Sequence, residues 1–217
     1  MNAQRHSLSA IELRDAAILD AVADGLRRYG PRKLTAQDVA DAAGISRMTL
    51  YRAMGSMDNA ILLALTREFA AAVAAVRAGL PDATGAVRLA AFLGDGARAF
   101  VGSELVASVR THQPELLEPY LSGRLGRSQE VVLAAIEELR ERGRADGSIA
   151  ESAPSALTLL FLLRGVALGA PLLREGDAFE RACTEFTALV SAGLAAGSGA
   201  SITPSAETPT THATALT

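Results

Sequence analysis

The stretch from Thr35 to Ser56, TAQDVADAAGISRMTLYRAMGS, restricts this chain more than any other. Thr35 with Asp38 starts a helix that ends at Gly44, Ser46 starts another, and Ser56 a further one. Two short helices crossing at a wide angle need a tight turn with a residue able to take positive φ, and glycine does so without steric strain. Ala40, four residues before Gly44, is small enough for close approach of the second helix. Val39, Ala43, Ile45 and Leu50 are apolar where a helix-turn-helix turns inward. Ser46, Arg47, Thr49 and Arg52, with Tyr51, are left on or near the outward face. Taken alone, the glycine fits equally well as a cap between two helices of an enzyme's bundle.

The rest of the chain also reads as helix. Ser9 and Glu12 form a capping pair, Ile18, Val22, Leu26 and Tyr29 recur at helical spacing, and Gly30-Pro31 ends the run. From Ser56 the stripe Leu62, Leu65, Phe69, Val73, Val76 and Leu80 continues to Pro81, a helix of about 24 residues or roughly 36 Å that can connect two domains. Further helices are predicted over 84–101, 103–111, 115–143, 153–172 and 176–196. The apolar content, 49% of residues, is mostly Ala, Leu and Val, with 4% aromatics and no Trp. That balance favours helix-on-helix packing over a sheet core, so the fold class is all-α. The predicted organisation is a flexible arm over 1–9, a helix-turn-helix domain over 10–55, a second helical domain over 56–196, and a disordered tail over 197–217 rich in Ser, Thr and Pro.

Other classes are excluded on composition. The single Cys183 rules out an intramolecular disulfide framework and a Cys-based zinc site. Met1 to Ser9 is polar and no apolar run reaches the ~18–20 residues of a membrane span, which predicts a cytoplasmic protein. Only His6, His112 and His212 are available for acid–base chemistry, and GDGARAF at 94–100 follows no strand, so no catalytic site, metal or cofactor is expected. The net charge of −3 argues against indiscriminate coating of nucleic acid. Up to Ala60 there are eight basic and seven acidic residues, and beyond it thirteen and seventeen, the sign expected if only the N-terminal part meets phosphate.

The outward residues of the third helix have the chemistry of a DNA reader. Helix starts offer amides to phosphate, hydroxyls bond phosphate oxygens, and Arg can clamp guanine O6 and N7. Ala17 to Leu65 resembles the N-terminal domain of the TetR (tetracycline-repressor) family of transcriptional regulators. Gly30, Thr35, Ala40, Gly44-Ile45-Ser46, Thr49-Leu50-Tyr51 and Ser56 carry the resemblance. It implies backbone anchoring by Thr35, Thr49 and Tyr51. Base edges would be met by Ser46, Arg47 and Met48, with Arg47 on guanine and Met48 near a thymine methyl, and Arg52 would serve phosphate or base. Ala53, Met54, Gly55 and Met57 depart from the family pattern, which removes two phosphate contacts, and Gly25 replaces a bulky apolar residue. Arg27, Arg28, Arg32 and Lys33 are near enough in sequence to compensate.

The resemblance also implies a C-terminal domain that dimerises and binds a small molecule, with a double-stranded DNA operator as the other partner. Phe179, Cys183, Phe186 and Val190 repeat at spacings of four and three, the seam of a helix packed on helices. LTLLFLLRGVALG is apolar almost all round, with Leu160 inside it and Gly165 and Gly169 four apart. The two helices fit either a four-helix dimer interface or a monomer core. An apolar cavity would be lined by Phe69, Val73, Phe92, Phe100, Leu105, Val109, Leu117, Leu121, Val132 and Phe161, with His112, Tyr120 and Arg164 to orient a ligand head. Such a lining favours a lipophilic effector. The expected function is a ligand-responsive regulator, by family default a repressor, bound to a palindromic operator as a homodimer. The alternative is a helical ligand-binding protein that has lost specific DNA binding.

Overall fold

A computed structural model describes residues 10–116, 125–173 and 176–195. Among them the chain forms nine α-helices and no strand. They are α1 (Ala10–Tyr29), α2 (Ala36–Ala42), α3 (Arg47–Met54), α4 (Met57–Ala78), α5 (Gly85–Gly102), α6 (Glu104–His112), α7 (Arg127–Ala145), α8 (Ala156–Gly169) and α9 (Ala178–Ala195). A 3-10 turn, Ala170–Leu172, follows α8. The fold class is all-α, as the composition implies. The arm over 1–9 and the tail over 197–217 lie outside the described residues.

Local chemistry sets the short helices. Thr35 donates from its N–H (2.9 Å) and its hydroxyl (2.5 Å) to Asp38, and the Asp38 N–H returns a bond to the hydroxyl at 3.2 Å. The Thr35 hydroxyl, and then its N–H, hold the Asp38 carboxyl below the usual carboxylate range. Ser46 caps α3 by accepting from the Thr49 N–H at 3.1 Å. Ser56 does the same for Asn59, whose amide nitrogen reaches back to the Met54 carbonyl at 2.7 Å and fixes the angle between α3 and α4.

Three helix bounds differ from the periodicity. α4 has 22 residues because Gly79 caps it before Pro81, its N–H turning back to the Ala75 carbonyl. α7 begins at Arg127 rather than near 115, because the Gly126 N–H bonds the Gln129 side chain at 2.9 Å and starts the helix there. α8 begins at Ala156 under a Ser155 cap, and after Gly169 the chain tightens into the turn containing Pro171.

The apolar side chains sort into two clusters. One holds Ile18, Val22, Leu26, Val39, Leu50 and Met54 with Ala60, Ile61, Ala64 and Leu65 from the first half of α4. It also takes Leu105, Val106 and Val109 of α6, so the packing of the N-terminal unit reaches well past residue 55. The other joins α5, α7, α8 and α9 through Phe92, Leu93, Ile136, Leu159 and Leu194. α4 belongs to both clusters and is stapled to α1 by Arg67, which donates to the Ala16 carbonyl (3.2 Å) and to Asp20 (2.7 Å). By length and mean composition α4 is also apolar enough to cross a membrane, although Arg67 and Glu68 interrupt its apolar run. Its apolar length instead serves two clusters and the cavity described below.

The α5–α7 crossing is a close backbone contact. A Cβ on Gly85 would sit 2.3 Å from the Gly143 backbone, and the Gly85 N–H bonds Asp146 at 2.7 Å. Gly85→Ala is expected to destabilise the fold by ~1–3 kcal/mol, since backbone must move to admit the methyl. Urea melts of the variant will show a lower midpoint at unchanged slope, and an unchanged midpoint would refute the contact.

Candidate DNA-binding face, cavity and outer face

Gly44 adopts φ +66°, and a Cβ there would meet no atom within 4 Å. Backbone conformation, rather than space, therefore calls for glycine at this turn. Ala40 is fully buried and its carbonyl accepts from the Ile45 N–H at 2.9 Å, so α3 leaves the turn hard against α2. Leu50 and Met54 point into the cluster, while Ser46, Arg47, Met48, Tyr51 and Arg52 are exposed and Thr49 is half-buried. Met48 is 69% exposed, a large apolar side chain left in water on the same face as Arg47. Among the described residues, Arg47 and Arg52 have no ion-pair or hydrogen-bond partner. The Thr35 hydroxyl is already engaged with Asp38, as a helix cap.

The two departures near this face have different outcomes. The space beside Gly25 is filled by Leu34, whose Cδ1 would lie 2.4 Å from an added Cβ. Of the four nearby basic residues, Arg27 is paired, bonding Glu68 at 3.2 Å and Asp24 at 3.3 Å. Arg28, Arg32 and Lys33 are exposed.

A cavity of about 420 Å³ lies among α4, α5, α6, α7 and α8. Phe69, Val73, Phe92, Phe100, Val132 and Arg164 are on its lining, with the Phe69 and Phe100 rings 5.6 Å apart. Four expectations are corrected. Val109, like Leu105, is fully buried in the N-terminal cluster and faces away from the cavity. His112 is exposed, bonds the Ser108 carbonyl at 2.9 Å and packs beside Gly30, because α6 lies against the end of α1. Phe161 is 49% exposed on the outer side of α8, where the Arg164 guanidinium lies 5.4 Å from its ring centre. Leu117, Tyr120 and Leu121 lie outside the described residues. Polar groups that the apolar periodicity could not reveal also line the cavity: Glu68, Ser103, Arg110, Ser128 and Gln129. Glu68 accepts from Arg27 of α1 and from the Ser103 hydroxyl at 3.4 Å, so one cavity wall is bonded to the helix-turn-helix unit.

The seam on α9 is turned inward. Cys183, Phe186 and Val190, with Leu160 of α8, are buried within the one chain, and Phe179 packs against the same cluster. They are core residues, so the expectation that they form a dimer interface is corrected. Burial pushes the Cys183 thiol above its ordinary pKa. The outer faces of α8 and α9 instead expose Leu157, Phe161, Leu162, Leu168 and Leu189, the last 73% accessible. Gly165 and Gly169 lie on this side with open space above them.

No family model matches the chain. A helix-turn-helix transcriptional regulator of uncharacterised function from Mycobacterium bovis is 29% identical over 146 residues, covering 67% of this chain and 75% of the relative. The TetR-family repressor QsdR of R. erythropolis superposes with a TM-score of 0.61 at 19% identity, covering 82% of this chain and 94% of that one. FadR of Bacillus subtilis, a transcriptional regulator solved with stearoyl-CoA, gives 0.56 at 14% identity over 82% and 98%. The chain therefore has the all-α fold of the TetR-family transcriptional regulators. The likeness first carried by Ala17 to Leu65 extends through both halves of that fold, and the sequence relative is itself a helix-turn-helix regulator.

Proposed function

We propose that the chain is a ligand-responsive transcriptional regulator, a repressor that binds a palindromic DNA operator as a homodimer and is released by a small lipophilic effector. The observation that carries this reading is the continuity of α4. Its first half is packed under α3, and its second half, through Phe69, Ala72, Val73 and Val76, forms a wall of the cavity. A ligand that fits the cavity in only one setting of α4 shifts the population of recognition-helix positions by its difference in affinity for the two settings. A tenfold change in DNA affinity corresponds to about 1.4 kcal/mol of such coupling.

The outer apolar face of α8 and α9 supports a homodimer, since contiguous exposed apolar surface marks association sites. A two-fold axis there presents two copies of α3 to two half-sites. The largely apolar cavity, with few polar groups, suits a lipophilic effector, as the stearoyl-CoA bound to FadR illustrates for that protein. No catalytic role or cofactor is assigned, and the working location is the cytoplasm.

The test is selection of the purified protein against random double-stranded DNA. Enrichment of a short palindrome supports an operator-reading dimer. A pool that stays random at low salt supports the second reading, a ligand-binding protein without specific DNA recognition, which Ala53 and Met57 motivate.

A further inference from the structure

The cavity contains an arrangement that its apolar lining does not require. Arg110 of α6 lines it, half-buried, and among the described residues its guanidinium has no ion pair or hydrogen bond. Ser128 also lines it, is only 2% exposed, and its hydroxyl has no hydrogen-bond partner among the described residues. A half-buried cation is costly to leave unpaired when folding could have satisfied or exposed it, and the Ser128 hydroxyl beside the same cavity is free to bond a ligand. Ser128 sits in the first turn of α7, a helix of 19 residues whose N-terminal end carries partial positive charge. Its first turn gives the Gly126 N–H to Gln129, while the Gln129 and Glu130 N–H groups bond the Gly126 carbonyl. The Arg127 and Ser128 N–H groups have no such partner in the helix. A guanidinium, a hydroxyl and a helix N-terminus on one cavity all favour negative charge. The carboxylate on the lining, Glu68, is already held by Arg27 and Ser103.

We infer that the effector is an anionic amphiphile, with its apolar body among Phe69, Phe100 and Val132 and a carboxylate or phosphate head received by Arg110 and Ser128. The inference rests on the proposed effector site and assigns its head-group chemistry. It also assigns the head a regulatory position. Arg110 directly follows Val109, which with Leu105 and Val106 is buried in the N-terminal cluster, and Ser108 of the same helix bonds the Leu26 carbonyl at 3.2 Å. A head drawn to Arg110 therefore pulls on the helix that is packed against α1.

The test is calorimetric titration of the full chain with dodecanoate, dodecyl phosphate and dodecan-1-ol, each below its micelle or solubility limit. One of the two anions is expected to bind at least about tenfold more tightly than the alcohol, because charge-assisted hydrogen bonds are the strong ones. Which anion is preferred separates a carboxylate from a phosphate head. Arg110→Gln is expected to reduce that preference below about threefold while the alcohol's affinity is unchanged. Ser128→Ala, a smaller change, is expected to reduce it partially. Equal binding of alcohol and anions, or a preference that survives Arg110→Gln in a variant with unchanged melting temperature, overturns the inference. Absence of binding by all three probes instead overturns the lipophilic-effector reading on which it rests.

Discussion

Replacing Arg47 by alanine is expected to weaken binding to the selected palindrome by roughly fivefold to more than a hundredfold at each half-site, since a bidentate Arg–guanine pair contributes ~1–3 kcal/mol of discrimination. The side chain stands exposed at the first position of α3, with no partner among the described residues to hold it elsewhere. Loss of an exposed side chain changes fold stability by about 0.5 kcal/mol or less, so an affinity loss larger than that reflects DNA contact. A second readout separates base contact from phosphate contact. A base-reading arginine relaxes the preference at one position of each half-site, whereas a phosphate contact weakens all sequences alike and lowers the salt slope by about one per contact. Fluorescence anisotropy on the palindrome and on single-base variants, at two salt concentrations, measures both. Uniform weakening with a changed slope would reassign Arg47 to the backbone and leave Met48 or Arg52 as the base reader.

The double variant Phe161→Glu with Leu189→Glu is expected to convert a dimer into a monomer. Both side chains lie on the outer faces of α8 and α9, where a two-fold axis would bring like charges together in an apolar interface. DNA affinity is expected to fall by ~10²–10⁴-fold, because the second half-site would no longer be bound at the high effective concentration that linkage provides. Sedimentation would record the halved mass. Phe186→Ala is the informative control. Its side chain is in the protomer core, so it is expected to cost ~3–5 kcal/mol of fold stability and leave the folded fraction dimeric. If instead Phe186→Ala dissociated a stable protomer and the surface glutamates did not, the interface would have to be sought on another face.

The contrast between Phe186 and Leu189 marks where reading a sequence ends and folding begins. The recognition module was legible because its determinants are local. A capping threonine, a glycine at positive φ, a serine cap and an apolar set spaced for one turn act over a few residues, and each lies in the structure where its chemistry requires. Arg110 and Ser128 carried no such signal, since neither spacing nor residue type distinguishes a cavity-lining group from a solvated one. Leu34 filling the space left by Gly25, and Arg27 pairing with Glu68, likewise depend on partners far along the chain.

By itself, then, the sequence determined the all-α class, the punctuated helix-turn-helix and the outward set on α3, because capping, φ preference and helical period operate within a few turns. Only the tertiary structure decided that the seam of α9 faces α5 and α8 of its own chain, that Phe161 faces outward, and that α6 joins the helix-turn-helix unit. Burial against one's own chain and burial against a second copy remove the same apolar area from water and demand the same pattern of residues. The choice between them is made by the packing of helices distant in sequence.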